Sequence, residues 1–180
     1  MIDLRQISAK SLILILVLWL GTAVLLFQLG PYAELRAAAG DAGLPEEAAG
    51  YSLPELEASL EALGEDGRET YRGFQGLDLI NAVLTAVFFS LCLRFCFQRL
   101  FSPGNPAQWL ALLPAVVGAA EVVENLALLS LAGSFPTLPE SLANLASLAT
   151  RIKLGVSAVV LPGTLVALLA TALKAIARRR

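Results

Sequence analysis

Residues Ser11–Tyr32 read SLILILVLWLGTAVLLFQLGPY, a run without one charged side chain. A bilayer core about 30 Å thick requires roughly 20 mostly apolar residues per spanning helix, so this run is long enough to cross. A second charge-free run, Leu154–Leu173, is closed by Lys174 and by Arg178, Arg179 and Arg180. Two weaker tracts lie between them. Leu77–Phe97 carries Asp78 and Arg94 near its ends, and Trp109–Leu131 carries Glu121, Glu124 and Asn125 inside. Both are long enough to span, although a buried hairpin is the alternative for this middle pair. The chain is therefore predicted to be one all-α, integral membrane domain, a bundle of four transmembrane helices over about residues 11–31, 77–98, 109–131 and 150–173.

Composition points the same way. Of 180 residues, 57% are hydrophobic and 16% charged, with mean hydropathy +0.71. A soluble domain carries nearer ~25% charged residues. A soluble enzyme, a nucleic-acid binder and a disordered tail are thereby excluded. The absence of His removes haem ligation by His, imidazole general-base chemistry and His-rich metal sites. Cys92 and Cys96, four apart, cannot build a disulfide scaffold and read as reduced packing residues, with palmitoylation or metal binding as minor options. No metal set or cofactor fingerprint is present, so no cofactor is expected.

The flanking charges set an orientation. Arg5 and Lys10, Arg94 and Arg99, and Lys174 with the three terminal arginines surround the ends that short basic segments hold in the cytoplasm. The first long loop holds ten of the fifteen acids, between Glu34 and Glu69, against Arg36, Arg68 and Arg72. A multi-pass protein of the inner (plasma) membrane follows, with cytoplasmic termini and residues 34–76 and 132–148 outside. The first run is too long for a signal-peptide core and reads as an uncleaved anchor. Within the outer loop, Ser52-Leu-Pro-Glu55 is a capping-box pattern preceding Leu56, Leu60 and Leu63 on one helical face, with Gly64 as a stop. Arg68, Tyr71 and Phe74 then recur at helical spacing. Thr137-Leu-Pro-Glu140 repeats the cap before the fourth span. Short helices forming a lid are expected, with Ala37–Gly50 as the flexible piece.

Polar residues form stripes. The second span aligns Asp78, Asn81, Thr85, Cys92, Cys96 and Arg99; the third aligns Ala111, Pro114, Gly118, Glu121 and Asn125, with Glu124 one step around; the fourth aligns Thr150, Ser157, Thr164 and Thr171 beside Lys153. Small and hydroxyl members of such stripes ordinarily make helix contacts. The charged members carry more information. At about 1.5 Å per residue, Glu124 and Asn125 lie roughly 10 Å below the outer end of the third span and Glu121 one turn deeper. Asp78, Asn81, Arg151 and Lys153 fall in the same leaflet. Arg151 and Lys153 either snorkel or pair inward, whereas the short glutamates cannot reach headgroups. One shared pocket, opening under the lid, is expected from Asp78, Asn81, Glu121, Glu124, Asn125 and Lys153. Pro114 and Pro162 should kink their spans, Trp19 should face lipid, and Trp109 should anchor at an interface.

The runs LEALGEDGRETYRGF, DLINAVLTAVFF, AEVVENLALL and LASLATRIKLGVSAVV resemble a family of small bacterial four-span membrane proteins. Its pattern is Gly-x-x-Gly-Arg-x-x-Tyr before an Asp-bearing second span, then acid-x-x-Glu-Asn in the third. The matching residues are Gly64, Gly67, Arg68, Tyr71, Asp78, Glu121, Glu124, Asn125 and Lys153, with Glu121 where the pattern has Asp. The resemblance covers roughly residues 50–165 and implies architecture and site residues, not an activity. The layout is also similar, more weakly, to the emopamil-binding-protein group, whose isomerase members carry a His and a Trp that are missing here.

Three function classes stand. The first is a non-enzymatic protein binding a lipid, small amphiphile or partner helix at the buried cluster. The second is an intramembrane isomerase or lipid-modifying enzyme using Glu121 or Glu124 as acid/base. The third is a proton- or ion-coupled transporter, for which four spans without an inverted repeat would need an oligomer. Membrane lipids are the expected partners, a homo-oligomer stays open, and nucleic acid is excluded. Binding ranks first because no nucleophile motif supports chemistry.

Overall fold

The structure, a computed structural model, describes residues 7–178. Arg5, Arg179 and Arg180, which enter the charge argument, lie outside the described residues. Six α-helices carry the chain: α1 (Ala9–Phe27), α2 (Tyr32–Ala39), α3 (Leu53–Ala62), α4 (Gly64–Leu100), α5 (Leu113–Ser134) and α6 (Glu140–Ala177). A 3-10 segment, Pro106–Leu112, leads directly into α5. Four helical stretches are long and apolar enough to cross a bilayer: α1, α4, Pro106–Ser134 and α6.

Two of them exceed the lengths expected. At 37 and 38 residues, α4 and α6 are each about 55 Å long, well beyond the hydrocarbon core. Arg68–Phe74 is thus not a separate lid helix but the protruding first turns of α4. The sharp reversal from α3 into α4 falls at Gly64, whose φ of +67 suits glycine.

α4, α5 and α6 pack around one another, and α1 leans on α4. The close approach of α4 and α5 depends on small residues. A Cβ on Gly118 would stand 2.5 Å from Ala86 Cβ and 3.2 Å from the Ala82 carbonyl oxygen. Ala120 and Ala127 on α5 and Ala143, Ala146 and Ala149 on α6 are buried along the other seam. Of α1, only Leu26 is buried, yet Trp19 does not face lipid. Its ring stacks on Phe88 at 5.1 Å, and its indole N–H donates to Thr85 Oγ1 at 2.8 Å. An indole N–H inside a bundle needs an acceptor, and Thr85 supplies one.

The lid lies at the end of the bundle opposite the termini. Ala37–Gly50 is not a flexible stretch: two 3-10 turns, Gly40–Ala42 and Pro45–Glu47, are clamped by buried Leu35, Ala39, Leu44 and Pro45. Gly and Ala there permit close packing instead of disorder. Leu56 and Leu60 of α3 are fully buried, and each such burial is worth about 1.5–3 kcal/mol. The exposed Arg36–Glu47 ion pair at 2.8 Å contributes at most about 1 kcal/mol. Apolar packing therefore holds the lid down. Arg68 adds a clasp, donating to the Leu60 carbonyl at 3.0 Å while its guanidinium lies 4.2 Å from the Phe135 ring centre.

Other local expectations need correction. Ser52 uses both its N–H and its hydroxyl to donate to Glu55 at 2.7 Å, but Thr137 caps nothing: α6 begins at Glu140 after Pro139, without a side-chain cap. Pro114 sits in the first turn of α5, where a missing N–H is harmless, so it introduces no kink. Pro162 is inside α6.

The α4–α5 contact yields a test. Gly118→Ala should lower the thermal unfolding temperature in detergent, costing about 1–3 kcal/mol. Gly163→Ala, whose Cβ would meet no atom within 4 Å, should be neutral or slightly stabilising. Equal effects of the two substitutions would contradict the tight seam.

Candidate functional site

Helix periodicity brings the predicted polar residues together in the lid half. Asp78 and Asn81 lie one turn apart on the inner face of α4, both buried. The Asp78 carboxylate accepts an N–H from Asn81 at 3.2 Å and one from Asn125 on α5 at 2.9 Å. From there hydrogen bonds run outward to α1. Thr22 donates to Asn81 Oδ1 at 3.3 Å, and Thr85, acceptor of the Trp19 N–H, donates to the Asn81 carbonyl at 2.8 Å. Asp78 thereby ties α4 to α5, and Asn81 ties α4 to α1.

Glu124, next to Asn125, points the other way. It is completely buried, 2.5 Å from Lys153 Nζ and 2.6 Å from the Thr150 hydroxyl, both on α6. Lys153 is therefore an inward partner and not a snorkelling residue. Arg151 is exposed and runs across the lid at Gly50, whose missing Cβ (φ +109) makes room for its side chain. Glu121 is half-buried, within electrostatic reach of Lys153, Asp78 and Glu124, and has no ion pair or side-chain hydrogen bond among the described residues.

The lid supplies members that sequence reasoning missed. Glu46, in the 3-10 turn Pro45–Glu47, reaches down to accept the Tyr71 hydroxyl at 2.6 Å, and its charge is felt at Lys153. The Tyr51 amide donates to Ser147 on α6 at 2.9 Å, and its hydroxyl is buried near Thr150, Glu124 and Glu46. Gln75, one turn before Asp78, is 1% exposed. Of these, Gln75 could have been read by extending the Asp78 stripe back through Tyr71. Glu46 carries no local mark that separates it from the other acids of its loop.

Two features distinguish this cluster from ordinary helix contacts. Three carboxylates, Glu46, Glu121 and Glu124, bear on one ammonium, that of Lys153, and Asp78 lies within electrostatic reach of Glu121. Moreover, Glu46 Oε1, Tyr51 Oη and both amide atoms of Gln75 are buried with no hydrogen bond of good geometry, although Thr150 lies near the Tyr51 hydroxyl and Gln75 near that of Tyr71. Native interiors rarely leave such groups unmatched. Burial pushes Glu46 up to about 7, against the pull of the Tyr71 hydrogen bond, with the Glu124 charge raising it further and Lys153 lowering it. Burial also raises Tyr51. The expected pocket under the lid does not open: Asp78, Asn81 and Asn125 form one hydrogen-bonded group, Glu124 and Lys153 another, Glu121 lies within electrostatic reach of both, and lid side chains close over them. The cavity of about 100 Å³ in this region lies within the lid, between Leu44, Gly50 and Ser59.

Two predictions follow from this geometry. Removing Glu124 or Lys153 alone, by Glu124→Gln or Lys153→Met, strands a buried polar group and should cost up to about 3–5 kcal/mol. Combining the two should recover much of the loss, and a thermal-shift double-mutant cycle without coupling would contradict the pair. Glu46 contributes to pH dependence. The folded state keeps its proton between about 4.5 and about 7, where the unfolded chain has released it. Stability should thus be highest in acid, fall as the pH rises through that window, and level off above it. Tyr71, Tyr51, Glu124 and Lys153 face this carboxyl, and Glu46→Gln should reduce the slope; an unchanged slope in melting-temperature profiles would assign it elsewhere.

No protein-family model, curated protein or solved structure matches the chain.

Proposed function

We propose that this chain is a multi-pass plasma-membrane protein that binds a lipid or small amphiphile in the outer half of the membrane, its polar head entering the acidic cluster when the lid opens. In this reading the lid is extracytoplasmic and both termini are cytoplasmic. The charge pattern supports that orientation: acids crowd the lid, while Lys10, Arg94, Arg99, Lys174 and Arg178 mark the other end. The observation that carries the binding role is the surplus of carboxylates over Lys153, together with the unpartnered atoms of Glu46, Tyr51 and Gln75. A head bearing a primary ammonium would supply the positive charge this site is short of and donors for the open acceptors of Glu46, Tyr51 and Gln75.

The tail has a matching surface. An apolar groove of about 320 Å³ runs between α5 and α6 along Val116, Ala120, Val123, Leu145 and Ile152. Ala120 lies one turn before Glu124, and Ala149, also in the groove, immediately precedes Thr150. An alkyl chain lying there would reach the cluster edge. Glu121, half-buried and unpaired, also supports a second reading, an intramembrane acid/base enzyme. A ligand recovered unaltered after incubation favours binding; a converted one favours catalysis.

The test uses thermal shift of the purified chain with a long-chain primary alkylamine, compared with the alcohol and sulfate of the same chain length. The amine should stabilise the wild type and the other two should not. Glu46→Gln and Glu121→Gln should each weaken the amine effect by roughly tenfold in half-saturating concentration. Equal shifts with all three probes, or an amine effect indifferent to both substitutions, would overturn the proposal.

A further inference from the structure

The half of the bundle away from the lid is bare of carboxylates among the described residues. Among the described residues neither 84–120 nor 141–178 contains Asp or Glu, nor does the stretch before α2. Two adjoining cavities open at that end, between the start of α1, the end of α4 and the α4–α5 connection. The first, of about 580 Å³, is walled by Arg94, Gln98, Arg99 and Gln108. The second, of about 530 Å³, shares Arg94 and Gln108 and adds Leu91, Trp109 and Leu112. Together they make one cleft with a cationic, donor-rich mouth and an apolar extension.

Its cations are placed for an anion. The Arg99 guanidinium lies 3.4 Å from the centre of the Phe95 ring and donates to the Phe95 carbonyl at 2.8 Å, which holds it in position. Arg94 is exposed and forms no ion pair among the described residues. The C-terminal carbonyls of α4 would repel an anion. Lys174 covers them, donating to Arg99 O at 2.7 Å and Leu100 O at 3.3 Å. Trp109, 74% exposed at the rim, is a side chain that favours the headgroup level.

We infer that this cleft seats an anionic phospholipid of the leaflet on the termini side, its phosphate between Arg94 and Arg99 and its proximal acyl chain along Leu91, Trp109 and Leu112. Guanidinium groups match phosphate oxygens with paired donors, and the apolar extension accepts the first methylenes of the chain. The site uses neither the lid nor the acidic cluster and holds for either orientation of the protein.

Trp109 reports on occupancy. In a Trp19→Phe background, reconstituted into phosphatidylcholine vesicles, brominated phosphatidylglycerol should quench Trp109 at a mole fraction roughly tenfold lower than brominated phosphatidylcholine. Arg94→Gln with Arg99→Gln should abolish that preference. Lys10→Gln with Arg178→Gln, outside the mouth, should keep it. Native mass spectrometry of the chain with both tryptophans gives the second reading: phosphatidylglycerol adducts should persist through delipidation and vanish in the Arg94/Arg99 variant. Equal quenching by the two lipids, adducts that survive the arginine substitutions, or an equal loss on removing Lys10 and Arg178 would each overturn the site.

Discussion

A carboxylate with no exposure to water, placed between two apolar helices, constrains everything around it. Glu124 is tolerable only because Lys153 and Thr150 meet it from α6. An isolated charge at that depth would cost several kcal/mol, so the pairing fixes the register of α5 against α6. The next residue, Asn125, does the same on the opposite side by donating to Asp78 on α4. Two adjacent side chains on α5 thereby set the relative heights of three helices. Small residues along the seams then let the backbones approach closely enough for these short side chains to meet.

The lid follows from the same constraint. Polar groups clustered near one end of a bundle must be kept from lipid, and Leu56, Leu60, Leu63 and Tyr51 belong to the packed cover over that end. The cover is itself partly polar on its inner side. Glu46 and Tyr51 add to the cluster instead of neutralising it, leaving both acceptor and donor atoms unmatched. The opposite end has the reverse character, with arginines and lysines and no carboxylate among the described residues, so the two ends of the bundle are chemically distinct.

Much of this was legible in the sequence because helical periodicity is rigid. Once α4, α5 and α6 are helices, Asp78 and Asn81, Glu124 and Asn125, and Thr150 and Lys153 have no choice about which face they share. The alternating direction of the spans places them at one level. What the sequence hid was set by tertiary packing. Trp19 sits in an unbroken apolar run, and only the neighbouring Thr85 shows that it turns inward. The stretch Ala37–Gly50 has the composition of a linker, yet its small residues are what allow it to lie flat on the bundle. Glu46 was hidden with it, since one acid among many in a loop has no periodicity to betray its direction. Pro114 was misjudged by a boundary: the chain before it is 3-10, so the α-helix begins there.

A docked lid seals these carboxylates from water. Hydrogen exchange of the full chain in lipid nanodiscs tests it most directly. The account predicts slow exchange across residues 44–63, with the Tyr51 amide, which is bonded to Ser147, among the slowest in the lid. Complete exchange of that segment at the earliest times, as fast as an unstructured peptide, would contradict it.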